Sequence, residues 1–174
     1  YEESAAVPMV MAGPDIPIGT CATPVSLLDL SATIAAHFGA KLDAAEGASD
    51  LRSILQAPKD DDRVVFSEYH AAGAVSGAFM LRKGRWKLIH YVGFQDELFD
   101  LEEDPEELRN CASAPACAEV LKNMHFELRK VCDPDETDRR AFADQAALIV
   151  RRGGRDAALK LGAAGATPPP MVSK

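Results

Sequence analysis

The sequence predicts an α/β fragment, the closing segment of a parallel-sheet domain followed by an antiparallel sheet of about four strands covered by helices. Three observations carry this reading. AFMLRKGRWKLIHY (residues 78–91) has the alternation of a hairpin with one packed and one wetter face. Short β-prone runs flank it, RVVFSEY at 63–69 and ELFDL at 97–101, each set off by turn-like sequence. Segments of helical period stand on either side of that group. A chain of 174 residues with 47% hydrophobic composition has enough apolar surface for a real core.

Val7 to Ala12 (VPMVMA) is a short apolar run bounded by Gly13-Pro14, the pattern of a strand buried on both faces of a parallel sheet. Thr23-Pro24 opens a helix, with Thr23 as N-cap, an apolar stripe of Leu27, Leu30, Ile34 and Phe38, and Gly39 as its end. Asp43 to Gly47 is loop. Ser49-Asp50 caps a further helical turn through Ile54 and Leu55, which Pro58 stops. In the hairpin, a two-residue loop at Lys83-Gly84 places Leu81 opposite Trp86 and Phe79 opposite Leu88. Phe79, Leu81, Trp86, Leu88 and His90 then share the apolar face, while Met80, Arg82, Arg85, Lys87, Ile89 and Tyr91 share the mixed one. Ala116 to Val131 is a helix with Val120, Leu121, Met124, Leu128 and Val131 on one side, and that side covers the sheet. Asp133-Pro134 caps the next helix, which runs to Arg151-Arg152 before Gly153-Gly154, and Arg155 to Leu161 adds two turns. The remainder, from Gly162, is a Pro-rich low-complexity tail.

The formal charge of −8 comes from 27 acidic against 19 Lys and Arg residues and makes nucleic acid an unsuitable partner. No apolar run reaches the roughly 20 residues of a membrane span. The N-terminus YEESAAVP has no starting Met, which suggests a piece of a longer chain. Cys21, Cys111, Cys117 and Cys132 lack zinc-ligand spacing and read as free, mostly buried thiols, Cys21 at a helix start among them, consistent with a reducing cytoplasm.

SEYH, the basic hairpin with K-G-R-x-K and DELFDLEEDPEELRNCA, in that order, resemble the C-terminal subdomain of type I sulfatases. YEESAAVPMVMAGP resembles the segment just after the active-site lysine of that family, and TPVSLLDLSATIAAHFG its S-x-x-D-L helix, with Ser31-Ala32-Thr33 where a proline usually precedes the threonine. CDPDETDRRAFADQAALIVRRGG is similar to the C-terminal extension of the choline-sulfatase-like and phosphonate-hydrolase-like branch. The resemblance implies three parts. Residues 1–58 would close an alkaline-phosphatase-like α/β catalytic domain, 59–132 would form the antiparallel-sheet subdomain with its packing helix, and 133–174 the helical extension and tail. It also implies a full-length hydrolase that uses a divalent metal, calcium or manganese, and a formylglycine made within C/S-x-P-x-R to cleave a small sulfate ester. A phosphonate or phosphodiester hydrolase and a non-catalytic oligomerisation module are the alternatives, and a homo-oligomer is expected.

None of that apparatus falls in this chain: Cys21-Ala22-Thr23-Pro24-Val25 has its proline one position late and no arginine, so no catalytic residue and no metal ligand is assigned. His37, His90 and His125 read as structural or solvated histidines, since no carboxylate or cysteine stands at a ligand interval from them. His70 is the one candidate substrate-binding residue. It ends a strand and opens the small-residue loop AAGAVSG (71–77). The resemblance places Ala72 where choline-sulfatase-like members carry an acidic residue facing the substrate ammonium, and a missing carboxylate disfavours choline sulfate.

Overall fold

The computed structural model describes residues 1–14, 16–40, 47–70 and 74–160. Its centre is the expected antiparallel meander, β1 (Val64–Tyr69), β2 (Ala78–Lys83), β3 (Trp86–Tyr91) and β4 (Glu97–Asp100), in the order β1-β2-β3-β4. The assignment of side chains to faces holds, but the pairing is shifted. Lys83 pairs with Trp86 and Leu81 with Leu88, so the loop is Gly84-Arg85 rather than Lys83-Gly84. Two features fix it there. Gly84 takes φ 54° at the first loop position, where a II′ turn needs glycine, and a Cβ on it would lie 3.0 Å from the Asp61 carbonyl oxygen. Arg85, held in the loop, reaches β4: its Nε donates to Asp100 Oδ1 at 2.5 Å and its carbonyl accepts from Leu101 N at 2.8 Å.

One face of the sheet carries the core, Phe79, Leu81, Leu88 and Leu98, closed by Met124 and Leu128 of α4 (Ala118–Val131). Each such side chain contributes about 1.5–3 kcal/mol on burial. Trp86 is only half-buried at the margin of this cluster, under the guanidinium of Arg85, so Phe79 and not the tryptophan is the largest apolar side chain sealed in the core. A 3-10 turn at Pro115–Cys117 leads into α4.

The opposite face is not wet. The single turn α1 (Glu2–Ala5) lies against it, and Lys87, with none of its side chain exposed, points Nζ at Glu2 Oε1 (2.9 Å) and Glu107 Oε1 (2.6 Å). Arg82 adds a contact to Glu2 at 3.5 Å, and Tyr1 Oη donates to Glu97 Oε1 at 2.9 Å. Two cations against two carboxylates let charged groups replace water here, because each buried charge has an opposite one in reach. Alternation marked these positions as polar and therefore as solvated; their burial depends on a segment some 85 residues away in the chain.

The expected strand at Val7–Ala12 is absent: the segment makes no sheet pairing, and Val10 is 93% exposed. A strand of this kind requires partners on both sides, and none of the described segments offers one. The cap of helix α2 (Leu27–His37) is Ser26, three residues after the expected Thr23, because Ser26 and Asp29 form a capping box, with Ser26 N donating to Asp29 Oδ2 at 2.7 Å. Thr23 instead uses its hydroxyl to accept from Asp60 N at 3.0 Å. Gly39, at φ 70°, ends α2 in a Schellman arrangement, with Gly39 N on Ala36 O and Ala40 N on Ala35 O. The predicted apolar stripe is turned outward, Leu27, Ile34 and Phe38 being exposed, while Asp29 and Thr33 face inward. Helix α3 (Leu51–Gln56), capped by Asp50, buries Leu51 and Ile54.

Arg63 fastens this N-terminal part to the sheet. It donates from Nη2 to Asp29 Oδ1 at 2.5 Å and from Nε to Pro24 O at 3.0 Å. Beyond α4, Asp133 caps α5 (Pro134–Arg151) by accepting from the amides of Asp135 and Glu136, and α6 (Arg155–Lys160) follows. Among the described residues no helix is long and apolar enough to cross a membrane. The tail from Gly162 lies outside the described residues.

Candidate functional site

His70 follows β1 and lies on the core face of the sheet, as alternation from Phe66 and Glu68 requires. Its ring meets Phe79 edge-on at 5.3 Å, while Glu68 Oε2 stands 3.7 Å from its Nε2, beyond hydrogen-bond reach. Both ring nitrogens are buried and neither has a hydrogen-bond partner among the described residues. A buried polar atom left in this condition costs roughly 1–3 kcal/mol, so the site tolerates a cost that a ligand or partner group would remove. The surroundings hold the ring in place. Gln145 Nε2 of α5 donates to the His70 carbonyl at 3.1 Å, and Asp138 Oδ1 accepts from Gly77 N at 2.5 Å. Gly77 has no room for a side chain: a Cβ there would sit 2.8 Å from His70 Cε1 and 2.8 Å from Phe79 Cε2. Sequence reasoning singled out His70 but not Gly77, Asp138 and Gln145, which surround it, since α5 meets the end of β1 only in three dimensions. Ala72 lies outside the described residues.

A second set of polar groups gathers at the far end of β3. His90 Nδ1 is 2.7 Å from Asp96 Oδ1, and His125 Nε2 of α4 is 2.6 Å from Asp96 Oδ2. Burial pushes the Asp96 carboxyl up, but its contacts with His125 and His90 prevail and hold it well below the usual carboxylate range. The sequence offered no carboxylate partner for these histidines; the fold supplies Asp96 from the β3–β4 connection. The three donor atoms lie within 4.8 Å of one another and are the group, among the described residues, that could hold a metal ion. His37, by contrast, sits in the last turn of α2 with its ring against Phe38.

No cysteine stands in the C/S-x-P-x-R motif. Cys21 lies outside the modification motif and is exposed, not buried as expected, because α2 starts only at Leu27 and leaves residue 21 in the preceding loop. Cys132-Asp133-Pro134 matches that motif as far as the proline, but Glu136 stands where arginine is required. Burial pushes the Cys132 thiol up, and burial with Cys117 alongside pushes Cys111 up to about 12, which suppresses the reactive thiolate in both.

Residues 1–133 match the family described as N-sulphoglucosamine sulphohydrolase, C-terminal. A choline-sulfatase of Rhizobium meliloti (strain 1021) is 36% identical over 117 residues, which are 66% of this chain and 23% of that protein. Arylsulfatase K of Mus musculus is 33% identical over 143 residues, covering 75% of this chain and 26% of the relative. The chain therefore spans about a quarter of the length of the curated relatives it matches. Among solved structures, a protein in complex with its substrate D-glucosamine-2-N,6-O-disulfate superimposes with a TM-score of 0.52 at 23% identity, over 62% of this chain and 25% of that one, a likeness of fold.

Proposed function

The chain belongs to the N-sulphoglucosamine sulphohydrolase C-terminal family, and from that premise we propose that it is the C-terminal portion of a sulfatase that hydrolyses a small-molecule sulfate ester. The observation that carries this is the family match over residues 1–133, which takes in the helical segment, the meander and α4 together. The proposed division of labour follows from chemistry. Sulfate-ester hydrolysis needs a strong nucleophile and concentrated positive charge around the sulfuryl oxygens. A formylglycine and a divalent metal would supply these in a sulfatase, but the residues of this chain do not fit the first: no C/S-x-P-x-R occurs in its sequence, and burial pushes the Cys111 and Cys132 thiols up. The proposed contribution of the chain is thus binding and shape rather than bond cleavage.

Within that contribution His70 is the substrate-facing group. Its nitrogens have no hydrogen-bond partner among the described residues, its ring is wedged by Phe79 and Gly77, and it adjoins the small-residue stretch 71–77 in sequence. An imidazole so placed can donate to, or accept from, a polar group of the ester. The acidic residue that would suit a quaternary ammonium is replaced by Ala72, so the favoured substrate is a sulfate ester without such a cation.

The test is kinetic comparison of the full-length protein with its His70→Ala variant across aryl sulfates, alkyl sulfates, choline sulfate and phosphonate esters. Sulfate-ester turnover by the parent, with altered KM or substrate preference and unchanged metal content in the variant, is the expected result. Parent activity on phosphonate esters alone would overturn the sulfatase reading. Identical kinetics of parent and variant on every accepted ester would reduce His70 to a strand-end histidine.

A further inference from the structure

We propose that His90 Nδ1, Asp96 and His125 Nε2 form a binding site for a divalent transition metal of the zinc class, placed to clasp α4 to the sheet. The proposal stands apart from His70 and from the reaction, because it rests on three side chains brought together from separate elements: the end of β3, the β3–β4 connection and the middle of α4.

The donor set selects the ion. Two imidazole nitrogens and one carboxylate suit zinc, cobalt, nickel or iron, whereas calcium and magnesium take oxygen ligands. The geometry is near what such an ion needs. At Zn–N distances of about 2.0–2.1 Å, tetrahedral ligands stand roughly 3.3 Å apart, so the carboxylate–imidazole contacts must each open by about 0.6 Å. Side chains that are 17%, 18% and 31% exposed at His90, Asp96 and His125 have room for that adjustment, and their exposure leaves an approach for the ion and for water as a fourth ligand.

The carboxylate is also positioned. Asn110 Nδ2 donates to the Asp96 carbonyl at 3.0 Å, while Asn110 Oδ1 accepts from Leu98 N (3.0 Å) and Ala112 N (2.9 Å), so one amide side chain fixes the connection that presents Asp96. His90 is braced in turn by Phe79, with ring centroids 6.4 Å apart. A ligand set held by its own backbone and core gives up little conformational freedom on binding an ion.

The experiment uses the full-length protein, dialysed against Zn2+ or Co2+, with metal counted per chain and the cobalt form examined by visible absorption. The parent should hold one zinc more per chain than either His125→Gln or Asp96→Asn, and only the parent should show the cobalt ligand-field band of this site. His125 is the most exposed of the three, so His125→Gln is the variant least disruptive to the fold, and Asp96→Asn keeps the shape of the side chain. Zinc uptake equal in the parent and both variants would place the metal elsewhere and overturn the proposal. So would a parent that takes up no zinc beyond its resident metal, a result that needs no variant at all.

Discussion

Replacing Arg63 with Met tests what holds the N-terminal part of the chain to the sheet. The Asp29 carboxylate has no exposed surface and accepts from Ser26 N at 2.7 Å, Ser49 N at 2.8 Å and Arg63 Nη2 at 2.5 Å. Methionine keeps the volume of the arginine stem, so the loss is one of charge and hydrogen bonding rather than of packing. Removing one partner of a buried pair costs about 3–5 kcal/mol, because the other charge is left without compensation. Two backbone amides still serve Asp29, and Arg63 is 15% exposed, which admits some water; both place the expected loss near the lower end, about 3 kcal/mol. Adding Asp29→Asn removes the stranded charge, so the double variant should be less destabilised than the sum of the singles by about 1–2 kcal/mol, within the span measured for contacting pairs. Native-state hydrogen exchange in the full-length protein reads the opening free energy of α2 and β1 directly. A loss below about 1 kcal/mol, or strict additivity in the cycle, would show that Arg63 does not fasten the two parts together.

Phe79→Ala should cost about 3–5 kcal/mol because the ring is wholly buried, whereas Trp86→Ala at the half-exposed margin should cost clearly less. Denaturant midpoints for both variants check the order, and the reverse order would contradict the placement of the core. Gly77→Ala gains about 0.4–1 kcal/mol from the unfolded chain but overpacks His70 and Phe79 by about 1–3 kcal/mol, giving a net loss and a displaced His70 ring. Unchanged stability, together with an unchanged His70 imidazole resonance in NMR spectra, would refute the close contact.

Much of the local structure was legible before any coordinates. The four-strand meander, the helix over residues 118–131, the Asp133-Pro134 start of α5 and the Gly39 stop of α2 all follow from period, caps and turn residues, which act over a few neighbouring positions. The two faces of the hairpin were legible for the same reason. Its register was not, because Gly84 fits either loop and the choice was made by Arg85 reaching Asp100 on a different strand. Burial escaped local rules more widely. The outward stripe of α2 and the inward Asp29 are opposite to what hydrophobic period implies, since the helix is seated by an ion pair to Arg63, 34 positions further on.

The candidate sites divide in the same way. His70 could be singled out from its place between a strand and a small-residue stretch, but the burial of its nitrogens and the glycine that crowds it depend on β2 and α5. The approach of His125 to Asp96 spans 29 positions and has no period or spacing to betray it. By itself, the sequence determined the four strands of the meander, most of the helices and the family they assemble, because those depend on dihedral preferences and short-range patterns, whereas the apolar run at residues 7–12 needed partner strands to become one. Only the tertiary structure decided which charged groups are buried, which register the hairpin takes and which histidines meet a carboxylate, because those depend on distances between residues the chain keeps far apart.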